Sequence, residues 1–447
     1  MRQILTDFTN LFHVDRLSLL LMGLVAFVAI SIASFSIRYL KGDRRQKTFF
    51  VNLLALVMTV FMMVCADHIL LFLLSWAVSN TLLARLMLHK REWEAARQSS
   101  LLAIKNFALG FVFLGAALLI LYSVTGETSI QAILAKSIES KWLIAASIFL
   151  LLAAMTQSAL WPFHRWLTSS LNSPTPVSAI MHAGLVNGGG FLLTRFAPIL
   201  TGQPAILNVI FIVGIITALL GTLWKLMQSD IKRMLACSTM SQMGFMIAQC
   251  GLGLFPAAVA HLCWHGLFKA YLFLSSGSAA KEKRIDLDYP PSVKDFSLAL
   301  IYGITAACMF SLTTGQQILV MDTTLFLKFL AMIAGVQFAL PIISGNAKGK
   351  LLLALLGSVV SGSFYGFSVR LVESVLEPVG ISIPQQLNVF HFFAAALLTV
   401  SWLSMMFARH SKQKASPEWL LKKYVQMLNA SQPHPSTITA HRNKYQF

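Results

Sequence analysis

The chain has 447 residues, of which 56% are hydrophobic and only 12% charged, and its mean hydropathy is +0.70. Those values exclude a soluble globular protein, and apolar runs of spanning length recur from near the N-terminus to about Arg409. The formal net charge of +18 would suit nucleic-acid binding, but the Lys and Arg gather in short loops between apolar runs, which is the positive-inside pattern of a membrane protein, so no nucleic-acid partner is expected.

An all-α polytopic membrane protein with about thirteen transmembrane helices is therefore expected, lying in a lipid bilayer. The alternating ten-residue segments of a closed barrel are absent. No cleavable signal peptide is evident, and the first long apolar run reads as a retained helix. Cys65, Cys237, Cys250, Cys263 and Cys308 fall in or at the ends of apolar segments without metal-ligand spacing, so they read as small buried residues.

In chain order, spans are expected near Leu17–Leu40, Phe49–Cys65, Ile69–Leu88, Leu101–Thr125, Trp142–Phe163, Pro176–Phe196, Ala205–Met227, Lys232–Gly251 and Phe255–Ser276. Four more follow near Phe296–Ser311, Thr324–Ile343, Leu351–Leu371 and Val389–Ala408. Basic clusters follow the odd-numbered helices, which predicts an outside N-terminus and a cytoplasmic C-terminus. Residues 1–280 form the expected core, 281–410 add further spans, and 411–447 make a basic cytoplasmic tail. Within that tail Ser416–Leu428 has an amphipathic pattern, and Asn429 onward reads as extended. The helical piece suits either contact with headgroups or docking of a soluble partner.

Two stretches carry chemistry. Thr156, Gln157 and Ser158 interrupt an apolar helix, and the Pro174 and Pro176 that follow each remove a backbone donor and push the preceding residue extended. Unwound backbone at membrane depth survives only where protein buries it or a wet cavity adjoins it, so this is a candidate polar centre, with His182 beyond it. The second stretch places His261, His265 and Lys269 four residues apart in an apolar helix. Each step turns a helix by roughly 400° and rises about 6 Å, so the three share a slowly drifting stripe. A Lys inside such a helix costs about 2.5–3.5 kcal/mol on insertion scales and must face protein or water. Singly, each histidine reads as a buried side chain with a polar partner; together the three read as a proton path, with Lys269 the switch that cycles near neutral pH. Asp67 and His68 read as a solvated pair or an entrance, and Lys328 is the intramembrane candidate of the later half.

These motifs resemble the antiporter-like subunits of respiratory complex I and of multisubunit sodium/proton antiporters. The resemblance rests on Ser158–Leu167, on Ser173–Ala183, on Asp230–Gly244, on the His261, His265, Lys269 spacing and on His13–Ser18. It implies that His182, Lys232, His261, His265 and Lys269 line a proton or cation path. There are departures: the family's Glu after Trp76 is Ala77 here, and its Lys before the broken-helix Ser-Ala is Gln157.

The shortened pattern, with Gln242–Gly253 and the tail from Leu428 to Tyr445, resembles the DabB-type membrane subunits of bacterial inorganic carbon transporters. That resemblance implies a subunit of the bacterial inner membrane with no cofactor of its own. It implies also a cytoplasmic zinc-binding partner of the DabA type, related to β-carbonic anhydrases, and no catalysis in this chain. The alternative is a proton-pumping subunit of a complex I or hydrogenase-type redox complex, or a Na+/H+ antiporter. The missing Glu and Lys weigh against the redox reading. No metal-ligand spacing occurs, so no metal is expected in the chain itself.

Overall fold

A computed structural model describes residues 11–281, 291–345, 348–377, 381, 383–407 and 417–438. The structure is helical: α1 (Arg16–Tyr39), α2 (Gln46–Cys65), α3 (Ile69–Met87), α4 (Glu94–Thr125), a short α5 (Ile130–Ala135), α6 (Ser140–Gln157), α7 (Thr175–Ala183), α8 (Gly188–Arg195), α9 (Pro204–Leu226), α10 (Ile231–Gly251) and α11 (Phe255–Leu274). Then come α12 (Val293–Thr314), α13 (Thr323–Ser344), α14 (Lys350–Leu376), α15 (Val389–Phe407) and α16 (Glu418–Ala430).

Among the described residues twelve helices are long and apolar enough to cross a bilayer, with Thr175–Arg195 counted as one interrupted span. The one expected span outside these twelve, the eighth, corresponds to α10, which has the length at 21 residues but carries Lys232, Arg233, Ser238, Thr239, Ser241, Gln242 and Gln249. Its side chains from Leu235 to Gly251 are largely buried by protein, so lipid does not dictate their polarity.

The chain divides into two compact units. The first comprises Met1–Gly251, His261–Ala280 and Lys423–Phe447. Its tightest seam joins α9 to α10. A Cβ placed on Gly214 would lie 2.5 Å from the Ala248 nitrogen, and one on Gly244 would lie 2.5 Å from the Ala218 nitrogen. Lipid supplies no hydrophobic force between helices, so such backbone approach is what holds them by van der Waals contact. The second unit comprises Leu252–Ala260 and Lys281–Lys422, with a core of Ala299, Tyr302, Val336, Ala339, Leu340, Trp402 and Met406.

Three local expectations are corrected. The fifth expected span stops at Gln157 rather than Phe163, because the chain turns at Ser158 and Ala159, whose φ of 53° is left-handed. The sixth is interrupted at Gly184–Asn187, where a single 3₁₀ turn separates α7 from α8. The described tail from Asn429 to Ile438 is not extended throughout: Pro435–Ile438 forms a helical turn against this chain, with the His434 N–H donating to Ser169 Oγ (2.8 Å) and Asn172 Nδ2 to the Thr437 carbonyl (3.2 Å). Residues 408–416 and 439–447 of the tail, with most of the Lys281–Lys294 basic cluster, lie outside the described residues.

Candidate functional site

The site is assembled by two helix interruptions in the first unit. At the end of α6 the Thr156 carbonyl, released from the helical ladder, accepts from Asn106 Nδ2 (2.9 Å) and from Trp166 Nε1 (3.1 Å). Ser158 Oγ donates to the Val186 carbonyl (2.7 Å) and accepts from the Gly189 N–H (3.2 Å), which ties the first interruption to the second. Gly189 lies so close that a Cβ there would come within 2.6 Å of the Ala154 carbonyl. Pro174 caps α7 and Pro176 sits in its first turn, where a missing N–H costs nothing.

Gln157 is buried and bonded three ways. Its Nε2 donates to Asn80 Oδ1 (3.0 Å) and to the Leu185 carbonyl (3.1 Å), and its Oε1 accepts from Asn80 Nδ2 (3.0 Å). Asn80 stands on α3 one turn beyond Ala77. A neutral amide pair thus occupies the neighbourhood where the resembling proteins carry a carboxylate and an ammonium.

On α11, His265 and Lys269 are buried and His261 partly so. The His261 and His265 rings lie nearly parallel, 6.1 Å apart. His265 Nδ1 meets Asn187 Oδ1 at 3.2 Å, and Asn187 Nδ2 donates to the Ala183 carbonyl (2.8 Å). Gly266 permits this approach, since a Cβ there would stand 2.8 Å from the same Ala183 carbonyl. The Nε2 atoms of His261 and His265 are buried and have no protein partner. With Nδ1–H donated to Asn187, the Nε2 of His265 is the basic nitrogen.

The Leu235 carbonyl on α10 joins two of the candidates. It accepts from Lys269 Nζ (3.2 Å) and from Thr239 Oγ1 (3.0 Å). Because the Thr239 hydroxyl hydrogen is committed to Leu235, its oxygen accepts from His182 Nδ1 at 3.0 Å. His182 is otherwise stacked on Phe273, with centroids 4.3 Å apart. Lys269, Leu235, Thr239 and His182 therefore form one continuous hydrogen-bonded chain. Lys232, a turn before Leu235, donates to the Ser173 carbonyl at 3.3 Å in the loop that leads into α7.

The structure brings Thr156, Gln157, Ser158, Pro174, Pro176, His182, Lys232, His261, His265 and Lys269 into the same unit, and Asn187 links the broken-helix centre to the α11 stripe. Lys328 belongs to the second unit, where its buried ammonium donates to the Gln317 carbonyl (2.6 Å). Asp67 and His68 serve as caps. Asp67 accepts from Ser129 Oγ (2.5 Å) and the Gln131 N–H (3.0 Å) at the start of α5, and His68 Nδ1 accepts from the Leu70 N–H (3.2 Å) at the start of α3.

Sequence reasoning missed Asn80, Thr239, Asn187 as a partner of His265, and the part-buried ion pair of Asp15 with Arg195. The Arg195 guanidinium also donates to Ser18 Oγ (2.9 Å) and to the Val64 carbonyl (2.9 Å). Asp15 and Ser18 lie within the His13–Ser18 stretch, whose residues carry no signal of Arg195. Among the described residues no three His, Cys, Asp or Glu side chains converge as a metal site requires.

Comparison with known proteins agrees with this architecture. Residues 66–348 match the family described as NADH:quinone oxidoreductase/Mrp antiporter, TM, and residues 6–50 match NADH-Ubiquinone oxidoreductase (complex I), chain 5 N-terminus. The chain is 36% identical over 280 residues to the probable inorganic carbon transporter subunit DabB1 of Halothiobacillus neapolitanus, covering 61% of this chain and 50% of that one. It is 30% identical over 436 residues to DabB2 of the same organism, covering 93% and 77%. The chain spans about half the length of the first curated relatives it matches. In fold it resembles a chain of the Mrp complex from Dietzia sp. DQ12-45-1b, with a TM-score of 0.57 and 20% identity over 96% of this chain and 50% of that one. Its apolar helices and bacterial relatives make it a multi-pass protein of the bacterial inner membrane. The chain belongs to the NADH:quinone oxidoreductase/Mrp antiporter transmembrane family, among its DabB-type antiporter-like subunits.

Proposed function

We propose that this protein is the membrane subunit of an inorganic carbon transporter, conducting H+ or Na+ inward through the α11 site. The ion flow makes CO2 hydration one-directional in a cytoplasmic zinc-binding partner of the DabA type. The observation that carries the reading is the buried chain from Lys269 through the Leu235 carbonyl and Thr239 to His182, with His265 and His261 stacked beside it. The Lys269 ammonium holds a proton that it releases to a neighbouring base, and the free Nε2 of His265 is a base of that kind. His261, one helical turn away, carries the proton onward. Lys232 sets the potential at the end of the path beside Ser173, and the N-terminus lies outside, as the loop charges favour.

The neutral Asn80–Gln157 pair favours this reading over a redox-driven pump, since a relay of paired charges has no titratable member there. The names of the DabB relatives support the same choice. The test is purification of the tagged chain from detergent-solubilised membranes, with zinc analysis and mass spectrometry of the proteins that accompany it. A zinc-containing soluble partner without flavin or iron–sulfur subunits is expected. Co-purifying flavin or iron–sulfur subunits would instead make the chain part of a redox complex.

A further inference from the structure

Helix α16 has no buried residue along its whole length. At 100° per residue, Leu420, Leu421, Tyr424, Val425, Met427 and Leu428 fall within an arc of about 160°. Lys422, Gln426 and Asn429 occupy the opposite side together with Trp419, and Lys423 lies on its flank. Leu420, Leu421, Tyr424 and Val425 are each 45–56% exposed, a bare apolar face on a thirteen-residue helix.

The C-terminal end of this helix is tied close to a membrane surface. Beyond its C-terminal end, Ser431 Oγ accepts from Gln228 Nε2 (2.8 Å) in the connection between α9 and α10, and Gln432 Oε1 accepts from Arg233 Nη1 (3.1 Å) in the first turn of α10. The His434 and Thr437 contacts to Ser169 and Asn172 hold the chain to the connection between α6 and α7. Connections between spanning helices lie at the bilayer surface.

We propose that α16 is an interfacial helix whose occupied surface is the lipid headgroup layer. The apolar arc enters the headgroup–acyl boundary, and Tyr424, near the centre of the arc, sits at the depth that amphipathic aromatic rings favour. Lys423, beside the arc, extends towards anionic headgroups, while Lys422 stays on the water-facing side. The pinned segment from Ser431 to Thr437 fixes the helix beside the first turn of α10, which carries Lys232, and the loop that carries Ser173.

The experiment uses the full chain in lipid nanodiscs, with spin labels introduced singly through Leu421→Cys and Tyr424→Cys on the apolar arc and Lys422→Cys and Gln426→Cys opposite. Signal from the five native cysteines is measured on the unsubstituted chain and subtracted. All four positions are exposed, so the substitutions leave the packed core untouched. Labels on the apolar arc are expected to be several-fold more accessible to dissolved oxygen than to a water-soluble nickel chelate, and labels on the polar side the reverse. Doping the nanodiscs with anionic lipid is expected to sharpen the difference. Equal nickel access at all four positions would overturn the proposal in favour of a solvated tail. Shielding of the apolar-arc labels from both reagents, with a soluble partner bound or without one, would overturn it in favour of a protein-docking arm.

Discussion

Gln157 and Asn80 present their side-chain amides to each other through two reciprocal hydrogen bonds of 3.0 Å, across 77 residues of sequence. The pair is buried between α3 and the broken end of α6, and Gln157 has a further bond to spare for the Leu185 carbonyl. A charged pair at this place would answer to pH and to passing ions. An amide pair answers to neither, and its role is to hold the unwound segment.

Removing one partner should therefore cost stability rather than change a titration. Gln157→Leu leaves the Asn80 amide and the Leu185 carbonyl buried without partners, at about 1–3 kcal/mol. Thermal unfolding of the purified chain measures it. The Asn80→Leu, Gln157→Leu double variant should lose less than the sum of the two single losses, because each single change strands the other amide. Strict additivity would show that the two side chains act independently.

The ion pair of Asp15 with Arg195 predicts an acid limit to stability. Burial raises the Asp15 carboxyl, but Arg195 and the hydrogen bonds from Ser18 outweigh it and hold the group below its ordinary 3.8. A carboxyl depressed by folding contributes stability that is present above the unfolded value and is lost as pH falls through the folded one. Stability should thus be insensitive to this group from neutral pH down to about 4 and should decline only in stronger acid. Asp15→Ala, which leaves Arg195 buried without its carboxylate, should cost about 3–5 kcal/mol at neutral pH and flatten that acid limb. Unfolding midpoints across a pH series give both numbers.

The hydrogen-bonded chain through Leu235 predicts graded effects on transport. Lys269→Met removes the ammonium and should abolish bicarbonate accumulation in cells carrying the whole system, while the chain still reaches the membrane. Thr239→Val removes the oxygen that accepts from His182 and should slow accumulation without abolishing it. Full accumulation with Lys269→Met would remove Lys269 from the path.

The α9–α10 seam predicts intolerance of a single methyl group. Gly214→Ala sets a Cβ 2.5 Å from the Ala248 nitrogen, where the neighbouring atom is backbone and cannot rotate aside. Overpacking of this kind costs about 1–3 kcal/mol, and Gly244→Ala on the facing helix should cost a similar amount. Gly115→Ala meets only a Leu73 methyl at 3.8 Å and should be close to neutral. The unfolding temperatures of the three variants compare them directly.

The sequence by itself determined what local physics can write into a run of residues. The apolar lengths announced the spanning helices, the prolines at 174 and 176 announced a break, and the four-residue spacing of His261, His265 and Lys269 announced a buried polar stripe. Where those expectations missed, the competing term was non-local. The tail turn at Pro435–Ile438 exists because Ser169 and Asn172, 265 residues earlier, hold it. Only the tertiary structure decided that Leu235 joins Lys269 to Thr239, since the group that does so is a main-chain carbonyl with no side-chain signature. The pairings of Gln157 with Asn80 and of Asp15 with Arg195 were likewise undecided by sequence. A buried polar group must find a partner, and which one it finds depends on the helices that folding sets beside it.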